Sequence, residues 1–222
     1  MPISLRCLLQ GLALTLLVSP TLALAALPSL KPFAAEYQLG IDGWPDARVA
    51  HRLSRQGEHW QSDMQAAVAL AKGSERSRFR IEEDTIRATA YSSRYSLLGI
   101  GGSYRLGHQE LAPILDRQAA LIALSRQANT ASCTATAPPC ELTYQDHKGR
   151  EETLHYRVGE RAPVTLPAGD FEAIRVETWE PDEPERLLTF RFHPDYPGLL
   201  LSVDYRRDGE LTSQLRLIAF SP

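Results

Sequence analysis

Cysteine is scarce in this chain: three residues in 222, with Cys7 far from Cys133 and Cys140. Zinc would ask for four ligands, with paired cysteines two to four residues apart. In the stretch SCTATAPPC the two cysteines are separated by Thr-Ala-Thr-Ala-Pro-Pro, and the nearest histidine is His147. A thiol redox pair would ask for C-x-x-C, which is also missing. There is no excess of positive charge, with 24 Lys and Arg against 27 Asp and Glu. The basic residues are scattered, so nucleic acid has no electrostatic foothold. Six histidines, His51, His59, His108, His147, His155 and His193, form neither H-x-H nor H-E-x-x-H. No serine sits in a G-x-S-x-G elbow. The sequence also lacks an internal repeat and a low-complexity tract. No catalytic, cofactor-binding or metal-binding residue is assigned, and the pattern points away from an enzyme.

What the chain does have is a strong start. It opens MPISLRCLLQGLALTLLVSPTLALAALPS, with basic Arg6, an almost wholly apolar run from Cys7 to Leu22, and Ala23-Leu24-Ala25. This is the pattern of a secretory signal peptide over residues 1–25, cleaved before Ala26. Pro20 and the short run argue against a retained anchor, which needs ~20 apolar residues. No later segment is apolar enough to span a membrane. Residues 26–222 are then one soluble domain of roughly 200 residues, large enough for a real core. Cys7 stands at the start of the apolar run, not after it, and so is not a lipidation site. Export favours disulfides, so Cys133 and Cys140 are expected to be a staple. In the chain-entropy model it is worth about 2–2.5 kcal/mol.

Period-two alternation dominates the remainder. Trp60, Ser62, Met64, Ala66, Val68 and Leu70 share one face. Phe79 and Ile81 lead through Glu83-Asp84 to Ile86, Ala88 and Ala90. Leu154, Tyr156 and Val158 alternate, as do Ile174 and Val176. Leu188, Phe190 and Phe192 follow, then Leu199, Leu201, Val203 and Tyr205. Asp42-Gly43-Trp44-Pro45-Asp46 and Arg207-Asp208-Gly209 read as hairpin turns. Nine or ten short strands joined by tight turns make an antiparallel meander. One segment, ELAPILDRQAALIALSRQ, follows a helical period, with Leu111, Ile114, Leu115, Leu121 and Ile122 on one side. Asp116 is an alternative N-cap for a shorter helix from Arg117. The fold expected is all-β with one helix: a strongly curved antiparallel sheet, or half-barrel, with a single amphipathic helix on its concave side.

Three further stretches invite chemistry. Leu98-Gly99-Ile100-Gly101-Gly102 lacks the following helix that a phosphate cradle needs and reads as a flexible bend. Glu180-Pro181-Asp182-Glu183-Pro184-Glu185 lacks calcium-loop spacing and reads as a solvated hairpin loop. Of the tryptophans, Trp60 is expected in the core and Trp44 in an exposed turn. His51 and His155 fall at strand positions where a histidine usually faces solvent.

The C-terminal third carries a resemblance. Leu166-Pro167-Ala168-Gly169-Asp170-Phe171, then Ala173-Ile174-Arg175-Val176-Glu177, then Thr189-Phe190-Arg191-Phe192-His193-Pro194-Asp195, then a strand pair over 199–205 and 211–218, resemble the exported bacterial family known as domain of unknown function 3108. Pro32 to Tyr37 and Phe79 to Asp84 are also similar to its members. The resemblance implies an exported, curved antiparallel sheet in the periplasm of a Gram-negative envelope. It supplies no catalytic residues. The outline is similar to half-barrel lipoprotein carriers of that envelope, and fold alone does not fix function. The leading expectation is non-enzymatic binding of an apolar or amphipathic, lipid-like ligand between sheet and helix. The alternative is a protein–protein interaction or assembly module of the envelope. A hydrolase would need a cleft joining histidines to acidic residues.

Overall fold

The computed structural model describes residues 27–68 and 71–222. The segment read as a signal peptide, and Leu70, lie outside the described residues. Thirteen strands form one sheet: β1 (Phe33–Ile41), β2 (Ala47–Gln56), β3 (His59–Val68), β4 (Ala71–Glu82), β5 (Thr85–Leu97), β6 (Ile100–Leu106), β7 (Leu115–Asp116), β8 (Cys140–Gln145), β9 (Glu151–Leu166), β10 (Gly169–Glu180), β11 (Glu183–Phe192), β12 (Leu200–Arg207) and β13 (Glu210–Ser221). Their order is β6-β5-β4-β3-β2-β1-β13-β12-β11-β10-β9-β8-β7. Two meanders, β1–β6 and β8–β13, therefore meet where β1 pairs with β13. All pairs are antiparallel except β7 with β8.

Alternation builds the core. Phe33, Ala35 and Tyr37 of β1 are buried while their neighbours are exposed, and Ala47, Val49, His51 and Leu53 of β2 repeat the pattern. Phe79, Ile174, Val176, Phe192, Leu201 and Leu217 complete a continuous buried lining. The strands outnumber those expected and several are longer. β9 has 16 residues and runs through Gly-Glu-Arg-Ala-Pro. Such a stretch hides from a pattern search because residues 159–163 are exposed on both faces of the strand.

The expected long helix is two pieces. α1 (His108–Leu111) stops before Pro113, as a residue preceding proline disfavours helical backbone. α2 (Arg117–Gln127) starts at Asp116, whose carboxylate accepts from the backbone N–H of Gln118 and Ala119, both at 3.0 Å. The alternative start is thus the one the chain adopts. The expectation of a helix with a single apolar face is corrected. Gln118, Ala119, Ala120 and every residue from Ile122 to Arg126 are buried. The reason is the curvature: α2 touches β4 and β5 from one half of the sheet and β7 and β8 from the other. The sheet wraps around it, so polar faces are buried as well as apolar ones.

Those buried polar side chains find partners, as they must. Ser125 Oγ accepts from Gly198 N at 2.9 Å. Arg126, 2% exposed, donates to Pro28 O at 3.0 Å, Asp84 O at 2.8 Å and Asp84 Oδ1 at 3.2 Å. Tyr156 donates to Gln127 Oε1 at 3.2 Å. The C-terminal half of α2 is tied to both halves of the sheet. Behind it, Cys133 and Cys140 are joined in a disulfide with a Cα–Cα distance of 5.6 Å. Cys133 O accepts from Val158 N at 2.9 Å, which pins the stapled loop to β9.

Candidate functional site

The register sorts the turns into two ends. At one end lie the β2–β3, β4–β5 and β9–β10 turns, together with Arg126 and its partners. At the other lie the turns β1–β2, β5–β6, β8–β9, β10–β11 and β12–β13. The first end is filled by Leu30, Ile122, Leu124, Phe192, Leu199 and Leu201. The second is not filled. Around the first turn of α2 the trough holds a cavity of about 460 Å3, walled by Leu39, Val49, Met64, Ala66, Leu188, Leu200, Val203 and Leu215. A second lobe of about 350 Å3 shares Met64, Arg117, Leu188 and Leu200 and extends past Leu121, Leu142, Leu154 and Phe190. The wall is apolar because each strand presents its inward set here.

The charged side chains that line it are few: Glu75, Arg94 and Arg117 in the main lobe, and Arg117 and Asp146 in the second. Arg117 Nη2 pairs with Glu75 Oε1 at 2.9 Å, and Gln118 Nε2 donates to Glu75 Oε2 at 3.1 Å. Arg94, Tyr95 and His147 stand beside them. His147 is drawn in because Ser93 Oγ donates to its backbone carbonyl at 3.2 Å. Two hollows of about 500 Å3 on the outer surface of β1–β5 are lined by Glu36, Arg48, Lys72 and Arg94, or by Glu36, Arg52, Asp63 and Arg76. Their open, charged walls suit water better than an apolar guest.

Beneath the cavity floor runs a buried polar chain. His51 Nε2 and Ser62 Oγ lie 3.0 Å apart, and Ser62 donates to Gln118 Oε1 at 3.1 Å. Ser77 donates to Asp116 Oδ2 at 2.7 Å. Asp116 is raised to about 6 by burial, against hydrogen bonds from Ala119 N, Ser77 and Gln118 N. His51 is lowered to about 4 by burial, with Asp63 opposing. The expectation that His51 faces solvent is therefore corrected: it is 1% exposed and packs edge-on against Phe33 at 5.0 Å. The His51–Ser62 pair has the distance of a nucleophile and its base, but not the setting. Ser62 is fully buried, and His51 Nδ1 has no carboxylate or other partner. A substrate carbonyl could not reach the hydroxyl.

The other sequence candidates are dispersed. His155 Nε2 lies 3.3 Å from Glu141 on the β8–β9 face, and His193 packs with Phe171 and Tyr196 near the filled end. Glu180–Glu185 is the β10–β11 hairpin. The glycine-rich stretch, expected as a flexible bend, is the β5–β6 hairpin with Leu98 and Gly99 as its turn. Trp60 is buried and Trp44 exposed. Among the described residues no three His, Cys, Asp or Glu side chains converge as metal ligands do. Among them, too, no helix is long and apolar enough to cross a membrane. Sequence reasoning missed Glu75, Arg94 and Arg117, which stand together at the cavity edge. Only the pairing of β4 with β5 and the cap at Asp116 bring them there.

No family model matches the chain, and no curated protein matches it. Similar solved structures include a candidate lipoprotein from Parabacteroides distasonis, 9% identical over 88% of this chain and 97% of the other, with a TM-score of 0.38. A candidate exported protein with a YmcC-like fold from Bacteroides fragilis is 10% identical over 88% and 98%, with a TM-score of 0.33. A chain of the MucA/MucB complex from Pseudomonas aeruginosa is 9% identical over 86% and 51%, with a TM-score of 0.41. The chain thus spans about half the length of that last structure. Likenesses of this size define neither family nor function.

Proposed function

We propose that this is an exported envelope protein that holds the apolar part of an amphipathic, lipid-like molecule in the trough between α2 and the sheet. The observation that carries the reading is the two-lobed apolar cavity around the first turn of α2. Its volume and walls are those of a small-molecule site, where a few polar groups at one edge fix orientation. The ligand's polar end would face Arg94, Arg117 and Glu75. Export rests on the signal pattern of residues 1–25. The role is one of binding, since the buried His51–Ser62 pair is out of reach of any guest.

The test is displacement of a fluorescent long-chain fatty acid from the purified protein. Binding is expected for the wild type, and loss by roughly tenfold or more for Val203→Trp, since an extra indole overfills the main lobe. Equal binding by both would remove the cavity from consideration. The envelope-interaction reading keeps one feature in support. β6 ends the sheet, and among the described residues its outer edge carries no further strand, so a partner strand could add there.

A further inference from the structure

We infer that the β5–β6 hairpin is a membrane-docking element, its tip entering an anionic lipid surface. The first observation is a misplaced residue. Four described non-glycine residues have left-handed backbone: Glu83, Asp84, Asp208 and Leu98. Three are acidic turn residues. The fourth is a branched apolar side chain at φ 54, followed by Gly99 at φ 82. Both central residues at positive φ make the tight hairpin turn that normally takes Asn-Gly or Asp-Gly. Leucine gains nothing from this backbone. At 67% exposure it gains nothing from the protein core either.

The second observation is that Leu98 is not alone. Leu97 pairs with Ile100 behind it, and these are 50% and 82% exposed. Tyr95, two pairs further back, is half-exposed against Gly102. The tip is a built shape rather than a loose loop. A Cβ on Gly101 would lie 1.9 Å from Tyr95 O, so only glycine fits beneath the tyrosine backbone.

Charge provides the third observation and selects the occupant. From Thr85 to Gly107 the hairpin has no acidic residue, and Arg94 and Arg105 lie in its distal half, while Arg87 sits at the far end of β5 beside Glu82. On neighbouring β4, Lys72 pairs with Ser96. Of the other turns at this end, β1–β2, β10–β11 and β12–β13 carry Asp42, Asp182, Glu183 and Asp208, and β8–β9 sets Lys148 and Arg150 against Asp146, so this hairpin combines cations with an absence of acids. The side chains are layered along the strand. Leu97, Leu98 and Ile100 come first, then Tyr95, then Arg94, which at ~3.3 Å per residue sits ~10 Å behind the tip. Apolar, then aromatic, then cationic is the depth profile of a lipid interface, with entry of ~5–10 Å. A protein interface of ordinary size needs about 800 Å2 per partner, more than a few tip side chains offer.

The hairpin stands at the unfilled end, and Tyr95 belongs to the cavity wall. Docking would therefore bring the trough mouth to the lipid. The inference does not require the trough to hold a lipid, and the two are separable by experiment.

The test is co-sedimentation of the protein recovered from the envelope with vesicles of phosphatidylethanolamine and phosphatidylglycerol, and with phosphatidylcholine alone. Binding to the anionic vesicles is expected, and it should weaken as salt is raised. Leu98→Asn and Ile100→Ser are each expected to lower partitioning roughly tenfold, the value of one buried apolar side chain. Leu98→Asn suits the left-handed turn, so an unchanged urea melt shows that the fold survives. Absence of wild-type binding would overturn the docking. So would variants that bind as well as wild type, or a tip that crosslinks to an envelope protein while ignoring vesicles. None of these would affect fatty-acid displacement, which reads the cavity.

Discussion

Replacing Asp116 with Asn should make the protein more acid-sensitive than the wild type. Asp116 is fully buried, and burial raises its carboxyl to about 6 from 3.8. The folded state therefore holds this proton more tightly than the unfolded chain. Stability is greatest when the group is protonated, and it falls as pH rises from about 4 through about 6, by about 3 kcal/mol in full. His51 works in the opposite sense. Its folded value is about 4, below the ordinary 6.5, so neutral His51 is favoured by folding. Its contribution is intact above pH 6.5 and is lost on descending toward pH 4, again by about 3 kcal/mol. In the wild type the two nearly cancel across this window. Asp116→Asn keeps a good N-cap, since its amide oxygen can accept from Gln118 N and Ala119 N and its NH2 can donate to Ser77 Oγ. It removes only the titration. The stability of the variant relative to wild type should then drop by about 2 kcal/mol between pH 7.5 and pH 4.5, the share of the Asp116 effect that falls in that interval. Urea melts of both proteins at both pH values measure this directly. A difference constant to within about 0.5 kcal/mol would refute the assignment of a buried, proton-linked role to Asp116.

Three other perturbations test the scaffold. Arg126→Met removes the donors to Pro28 O and to Asp84; with two carbonyls stripped of buried partners, a loss of about 2–3 kcal/mol is expected in urea melts. Cys133→Ala with Cys140→Ala opens a link of sequence separation 7 and should cost about 2.4 kcal/mol in the chain-entropy model. Fatty-acid displacement should be unchanged, because the staple lies behind α2. Gly101→Ala forces a Cβ into Tyr95 O and should open the β5–β6 hairpin. Limited proteolysis is expected to cut near Leu98 while the core resists.

Strand alternation made most of this architecture legible from sequence, because half-buried antiparallel strands show their two faces at every residue. β1, β2 and β11–β13 are visible for that reason. β8 was not, since CELTYQ follows a proline-rich loop and offers only Leu142 and Tyr144 as inward positions. The helix is a subtler case. Its sequence carries the cap at Asp116 and the break at Pro113, yet its polar residues Gln118, Ser125 and Arg126 read as a solvent face. They are buried because both halves of the sheet close over α2, and no local pattern records that closure. The same holds for the site. Glu75 and Arg117 are 42 positions apart in the chain and meet only through the β4–α2 contact. His51 was misplaced because a histidine on an alternating strand looks the same inside or outside.

The central claim is that the trough is an occupied binding site. Native mass spectrometry of the protein purified gently from the envelope, followed by organic extraction, addresses it most directly. A stoichiometric mass increment that is released into solvent as an amphiphile, and is missing from Val203→Trp, is the expected result. A wild-type protein of bare polypeptide mass that also fails to take up added fatty acid would contradict it.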